Sequence, residues 1–435
     1  MKNYYILHFS PLSLASWHSL LRKSGLLGVA CILTAVSGKF FDLRTSSTVV
    51  SGAISGSMPF RAACLGVALF IIIGSLGRLR VPNHKGTISF IIYIAISLLS
   101  FSWSFVPLAS IGKSVELFTG LAVLLVAYSK PNGNEVLKIL FNIILYLIFI
   151  QLLIAFLGFI LHATGFYGKA SGGLANIFAW RMSSPFMSAN SIGYNSALLL
   201  IVLINGWKHF NTRYLEKLFY GVFLSGTLLL STSRSSIGFL LLALLIVLFF
   251  KNKHLFILLA VPFAVVVGLD FSSYVVKVFK TIQGGQAAHV TMSLSGRTVL
   301  WQAAFELGKD HPLLGLGFGV GSRAMFYLSQ LKGFGDTIST AHNGFLEVFT
   351  GTGLLGFLPW ICGMSSGLWK CVVNYRGSGE QSAIFYGLWP VFLGTTIMSV
   401  GLGGALSEII LLFMIILLLP IEAEKEKPKY IRITW

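Results

Sequence analysis

Long apolar runs, each about the length of a bilayer crossing, recur through this chain and leave little sequence for anything else. They fall near 24–40, 60–78, 86–103, 105–128, 138–160, 187–206, 215–233, 235–250, 254–271, 344–369, 383–403 and 407–421. In hydrocarbon every backbone amide and carbonyl must be paired within the protein, so lipid-crossing runs of this kind become helices. About 20 apolar residues make one crossing, and a dozen crossings consume more than half of the 435 residues. Composition agrees. The chain is 55% hydrophobic and 11% charged, with mean hydropathy +0.82, whereas a soluble chain is about a quarter charged because water must wet its surface. The expected fold is an all-α, polytopic integral membrane protein with about twelve spanning helices, forming one membrane domain over residues 1–435.

The first run follows Arg22 and Lys23 and has no small-residue cleavage site after it, so it reads as a retained span and not a leader. Cys31, Cys64, Cys362 and Cys371 lie in or beside apolar runs without CxxC spacing, which suggests neither a disulfide framework nor a zinc site. The net charge of +18 is scattered between apolar runs, not gathered on a soluble basic face. That argues against nucleic acid as a partner and attributes the charge to topology and membrane lipids. Two or more basic residues occupy each of the connections Gly77–Gly86, Ser129–Lys138, Trp207–Lys217, Lys251–His254 and Lys370–Arg376, and the tail carries Lys425, Lys427, Lys429 and Arg432. In strict alternation all of these share the side of the N-terminus, which the positive-inside rule makes cytoplasmic. Both termini are then cytoplasmic, and 422–435 is a basic cytoplasmic tail. On the other side two connections are long, at 162–187 and at 272–343 between spans nine and ten. Within the second, Arg297–Gly308 places Val299, Trp301 or Gln302, and Phe305 on one side of a helix, as an amphipathic helix at a membrane surface does.

Ionisable residues at span ends on that second side are where chemistry is first sought, because charge near hydrocarbon is unfavourable unless it meets water, a partner or a ligand. Arg234 sits in the tight hairpin Ser231-Thr-Ser-Arg-Ser-Ser236. Crowded hydroxyls, amides and a guanidinium suit an oxyanion or phosphate seat, and a snorkelling interfacial arginine suits the same position. Arg297 follows Ser293-Leu-Ser-Gly296 and opens a helical stretch, where a cation works against the helix dipole by about 0.3–1 kcal/mol. His342 precedes Asn343 at the start of the tenth span, at the membrane boundary. An imidazole there can act as a base near neutral pH or serve structure alone. Arg181, in the connection leading to Asn190, is an anion contact or an anchor. Lys113 and Glu116, three residues apart on the fourth span, suit an intramembrane salt pair. Gly315-Leu-Gly-Phe-Gly-Val-Gly321 lacks both a preceding strand and a GK[ST] ending, so it reads as a flexible glycine turn beside an extended lipid and not as a nucleotide loop. No carboxylate pair, histidine cluster or DxD pattern falls on this side, so neither a metal nor a cofactor is expected. The spans show no self-similar halves, which weighs against a transporter.

Taken in order along the chain, these motifs resemble the O-antigen ligase and polymerase superfamily of bacterial membrane glycosyltransferases. The matching pieces are Arg181 with Pro185 and Asn190, Ser233-Arg-Ser235, and Ser295-Gly-Arg-Thr-Val-Leu-Trp301 followed by His311-Pro and Gly315-x-Gly317. The last piece is His342-Asn343 with Gly353 and Gly356. The resemblance covers about 170–360 by motif and the whole chain by span layout. It implies a glycan donor carried on undecaprenyl pyrophosphate and a site on the periplasmic side of the Gram-negative inner membrane. It further implies that Arg234 and Arg297 hold the donor diphosphate and that His342 takes the proton of the acceptor hydroxyl. Arg181, Asn190, Ser233, Ser235, Trp301 and Asn343 become substrate contacts. Arginine supplies a diphosphate leaving group with cationic donors without a metal. The ligase branch, which moves a whole glycan onto lipid A-core in lipopolysaccharide biosynthesis, is favoured because a basic protein suits a phosphorylated acceptor. An O-antigen or exopolysaccharide polymerase, a protein oligosaccharyltransferase, and a lipid-linked glycan flippase or exporter are the competing readings.

Overall fold

The structure, a computed structural model, describes residues 13–37, 58–74, 79–169, 180–207, 213–251, 297–321, 340–373, 382–419 and 430–432. Its helices are α1 (Leu14–Ser24), α2 (Leu26–Ser37), α3 (Met58–Ile73), α4 (Lys85–Leu99), α5 (Pro107–Ser129), α6 (Gly133–Ile160) and α7 (Ala189–Gly206). There follow α8 (Tyr214–Leu230), α9 (Arg234–Lys251), α10 (Arg297–Asp310), α11 (Gly344–Val373), α12 (Ser382–Met398) and α13 (Glu408–Leu418). The all-α reading is therefore correct, and eleven of the twelve apolar runs coincide with a helix. The twelfth, 254–271, lies outside the described residues, as do 272–296 and 322–339 of the long connection. Among the described residues five helices are long and apolar enough to cross a membrane by themselves: α4 with its 3-10 extension to Ser102, α5, α6, α7 and α11. Helices α1 and α2 together make a sixth if their bent pair is one span. Helices α3, α9, α12 and α13 are apolar but shorter.

The apolar run at 24–40 is preceded by a further helix that the apolar pattern does not announce. Ser13 caps α1, accepting from the Ser16 amide at 3.3 Å, and Gly25 with φ +58° ends it. The chain then turns by 108° into α2. The polar residues of α1 (Ser16, His18, Arg22, Lys23) hid it from a search for continuous apolarity, although Trp17 packs edge-on against Tyr146 of α6 with ring centroids 5.3 Å apart.

Helix α11 organises the end of the bundle where the candidate residues lie. It packs against α4, α10, α12 and α13, and its regular conformation breaks at Gly353, with φ 59° and ψ −165°. Across the break the amides of Leu354 and Leu355 donate to the carbonyls of Pro312 and Leu313 at 2.8 and 3.1 Å. In return the amides of Leu316 and Gly317 donate to the carbonyls of Thr350 and Gly351, both at 2.8 Å. A Cβ on Gly353 would overlap the Leu313 carbonyl, and the left-handed φ favours glycine in any case. The Gly315–Gly321 stretch is thus not a flexible turn beside a lipid: its glycines let two backbones meet.

Among the described residues, Arg80, Ser129, Lys370 and Arg432, from the basic connections and the tail, lie at the other end. Strand β1 (Arg80–Pro82) pairs antiparallel with β4 (Tyr430–Arg432), Arg80 opposite Arg432. The Arg80 amide reaches Ser129 Oγ at 2.6 Å, and Lys370 Nζ donates to the carbonyls of Leu417 and Leu419 at 2.6 and 3.1 Å. At the opposite end β2 (Tyr167–Lys169) pairs antiparallel with β3 (Trp180–Met182), with Gly168 opposite Arg181.

Inside the bundle, Lys113 and Glu116 form the expected i, i+3 pair at 3.5 Å. Arg61 of α3 joins Glu116 as a second cation, a partner that spacing along one helix cannot reveal. All three are buried. Removing the shared anion leaves two buried cations, and breaking a buried pair in this way costs about 3–5 kcal/mol. Glu116→Ala is therefore expected to lower the melting temperature of the detergent-solubilised protein markedly; a wild-type melting temperature contradicts this assignment.

Candidate functional site

The hairpin between α8 and α9 is tight enough to place Thr232 at φ 51°. Its serines largely build the turn. Ser231 Oγ donates to the Leu228 carbonyl at 2.6 Å, the Ser233 amide donates to Ser231 Oγ at 3.3 Å, and Ser233 Oγ lies 2.6 Å from Ser236 Oγ. The turn rests on Gly193 of α7, where a Cβ would stand 2.6 Å from Ser236 Oγ and 2.7 Å from Ser233 Cβ. Ser233 is accordingly buried and committed to the turn. Ser235 faces the site and accepts a hydrogen bond from Tyr194 of α7 at 2.9 Å. Arg234 is exposed beside it.

Arg297 is the first residue of α10, and one turn later Trp301 donates from Nε1 to the Ala341 carbonyl at 3.0 Å. That bond fastens the residue before His342 to the helix that carries Arg297. His342 has φ 51°, an uncommon conformation for a residue with a Cβ, kept only where the surroundings over-determine it. Its neighbours do so. Glu347 accepts from the Ala341 amide at 2.8 Å, and Asn343 Oδ1 accepts from the amides of Phe345 and Leu346 at 3.0 and 3.1 Å, capping α11. Asn343, expected from the sequence as a substrate contact, has its Oδ1 engaged by the helix end. Thr340 Oγ1 stands 3.4 Å from His342 Nδ1, which leaves Nε2 as the ring nitrogen open to a ligand.

Arg297 and His342 lie within each other's field. Burial first, and then the Arg297 charge, push the His342 pKa from 6.5 down to about 4, so the imidazole is neutral at neutral pH. Arg297 is half-buried, and its Nη1 meets Met398 Sδ at the end of α12, at 3.6 Å. A thioether is a weak acceptor, and among the described residues no carboxylate pairs with this guanidinium. Its charge also acts on Tyr194. Arg297 is therefore a cation with donors to spare, beside a neutral base.

The sequence pair Arg181 and Asn190 also meets, Nη2 donating to Oδ1 at 3.4 Å. Burial pulls the Arg181 pKa below its usual value, and its Nε is buried with no partner among the described residues. Asn190 lies one helical turn before Tyr194 on α7, so α7 connects this pair to Ser235 and to the Arg297 field. Beside the cluster is a cavity of about 320 Å³ that includes Tyr194, Thr340 and Glu347 in its lining. Helices α5 and α7, the start of α11 and the broken segment between α12 and α13 wall it.

Of the residues singled out in sequence, Arg297, His342, Trp301 and Asn343 form one cluster, and Ser233 and Ser235 reach it through Tyr194. Arg181 and Asn190 stand next to it, and Arg234 marks its exposed edge. Tyr194, Thr340 and Glu347 were missed as site residues. The signals were slight: Tyr194 is four positions from Asn190, and Glu347 repeats the reach-back of a helix cap. Among the described residues no group of three histidines, cysteines or carboxylates is placed to hold a metal.

A family model described as O-antigen ligase matches residues 219–361, a stretch that runs from within α8 into α11. It takes in Ser233, Arg234, Ser235, Arg297, Trp301, His342 and Asn343 and stops short of Arg181 and Asn190. The match supports the O-antigen ligase superfamily. A search of curated proteins returned no match to the chain.

A histidine held neutral by the fold makes stability depend on pH. The unfolded imidazole gains its proton near pH 6.5 and the folded one only near 4, so the unfolded state binds more protons between these values. Stability present above about 6.5 is lost as the pH falls toward 4. His342→Gln is expected to flatten that stretch of the curve of melting temperature against pH, and Arg297→Gln to shift its lower end upward. Curves of wild-type shape for both variants contradict the assignment.

Proposed function

Starting from an O-antigen ligase domain in a polytopic helical chain, we propose that this protein is a metal-independent glycosyltransferase of the bacterial inner membrane. In this reading it moves a glycan en bloc from undecaprenyl pyrophosphate to lipid A-core oligosaccharide on the periplasmic face. The observation that carries the proposal is the placing of Arg297, a cation with weak protein partners, near His342, an imidazole kept neutral by burial and by that charge.

Each group then has a task. The donor diphosphate lies against Arg297, with Arg234 at the exposed edge and Arg181 beside α7 as further cationic donors. Its negative charge offsets that of Arg297, which raises the proton affinity of His342 when the donor is in place. His342 Nε2 accepts the proton of the acceptor hydroxyl, and the oxygen attacks the anomeric carbon of the donor sugar. The bond from that carbon to the diphosphate oxygen breaks, and its electron pair leaves with a diphosphate whose growing charge the arginines stabilise. A single displacement of this kind inverts the anomeric centre. Trp301, Glu347 and Asn343 act by holding the His342 backbone.

The gathering of Arg80, Lys370 and the tail strand at one end supports placing that end in the cytoplasm by the positive-inside rule. The site, at the opposite end, then faces the periplasm, with both termini cytoplasmic and about twelve spans in all.

The test is transfer of an undecaprenyl-linked glycan to purified lipid A-core by the reconstituted protein in the presence of a chelator. His342→Ala is expected to lower kcat by about 10²–10⁴-fold, the usual contribution of a general base. Arg297→Ala is expected to cost about 10²–10³-fold. Transfer at the wild-type rate in either variant contradicts the assignment. In the host, deletion of the gene is expected to abolish all O-chain while lipid-linked polymer accumulates. Core bearing a single repeat identifies a polymerase instead, and accumulation of unflipped single repeats a flippase.

A further inference from the structure

Beside the Arg297 and His342 cluster lies a cavity for which the proposed chemistry has so far given no use. The connection from α12 to α13 is irregular: a 3-10 turn at Gly401–Gly403, Gly401 with φ 45°, and then non-helical chain to Ser407. Irregular backbone inside a membrane bundle survives only where protein buries it or where it lines a polar space. Here residues 399–401 and 403–405 line the cavity of about 320 Å³.

Its chemistry is mixed in a telling way. Glu347 and Glu408 line it, with Lys113, and both glutamates are buried, Glu408 at 1% exposure. Glu408 also accepts from Gln151 at 2.8 Å, and Lys113 is already paired with Glu116. A prenyl chain in this space would strip water from the carboxylates and return nothing. A diphosphate would meet two like charges. Hydroxyl groups, by contrast, donate to carboxylates in short, charge-assisted bonds.

The rim connects the space to the reacting groups. Tyr194 lines the cavity and donates to Ser235, and Thr340 lines it while touching His342 Nδ1. A ligand filling the cavity therefore ends beside Arg297 and His342. The volume lies at the small end of the range for ligand pockets, about 300–1,000 Å³, which suits a single sugar unit and not a polymer repeat.

We infer that this cavity seats the sugar at the reducing end of the lipid-linked donor, the unit bonded to the diphosphate, with that diphosphate outside on Arg297. The inference rests on the proposed function. It makes Glu347 and Glu408 the groups that read the hydroxyls of that sugar, and it makes the first sugar a determinant of which donors are used.

The experiment compares binding of two probes to the full-length protein in detergent: undecaprenyl diphosphate, and the same lipid carrying one sugar. Ala405→Phe and Ser191→Phe fill the cavity from opposite walls. The wild-type protein is expected to bind the glycosylated lipid at least tenfold more tightly than the sugar-free one. Both variants should lose that difference while keeping the affinity for the sugar-free lipid, which also shows that they are folded. If the filled variants retain the wild-type preference for the glycosylated lipid, the cavity is not the sugar seat. A wild-type protein that binds both lipids equally likewise overturns the inference while leaving the diphosphate site standing. One that binds neither overturns the proposed function, and the inference with it.

Discussion

A helix broken within a membrane bundle frees amides and carbonyls that hydrocarbon cannot satisfy, so the break of α11 at Gly353 governs what may stand next to it. The Pro312–Gly317 stretch answers it by exchanging four backbone hydrogen bonds with residues 350–355. Because that stretch follows α10 almost directly, the same bonds fix α10 against α11. Trp301 adds a second tie, from α10 to the Ala341 carbonyl. Arg297, at the far end of α10, and His342, just before α11, are thereby brought into one electrostatic neighbourhood. Neither residue approaches the other through a direct contact of its own; the backbone exchange makes them neighbours.

The electrostatic arrangement that results is unusual for a resting protein. A guanidinium is left facing a thioether at 3.6 Å, and an imidazole is held in the left-handed region at φ 51°. Both are unfavourable features that persist only where the surroundings enforce them, and such features cluster at sites of function. An anion bound to Arg297 would relieve the first and raise the basicity of His342 at the same time. The proposed enzyme would then be poorly basic without donor and competent with it.

Much of the fold was legible in the sequence because the bilayer imposes a single rule on backbone pairing, and runs such as 138–160 announce their helices by length and apolarity. Candidate site residues were legible in the sequence where charge stands at the start of a helix or beside a span: Arg297, His342 and Arg181 all lie in such places. What one-dimensional spacing missed was partner choice. Arg61 joins Glu116 from another helix, and Ser233 packs against Gly193. Asn343 caps α11, and Tyr194 became a site residue only once α7 and the Ser231–Ser236 turn met. Gly315–Gly321 looked mobile because glycine permits both freedom and close backbone approach, and only the facing backbone of α11 decides between them. The bend at Gly25 was hidden because α1 is polar along one side.

The central claim is that donor binding at Arg297 converts His342 from a weak base to an effective one. The acid limb of kcat/KM reports the free enzyme and that of kcat the donor complex, so the two pH profiles of glycan transfer test it directly. The account predicts an acid limb for kcat/KM near the His342 value of about 4 and a limb for kcat displaced upward from it, with the displacement abolished in Arg297→Gln. Coincident limbs in the wild-type protein, or a displacement that survives Arg297→Gln, would contradict it.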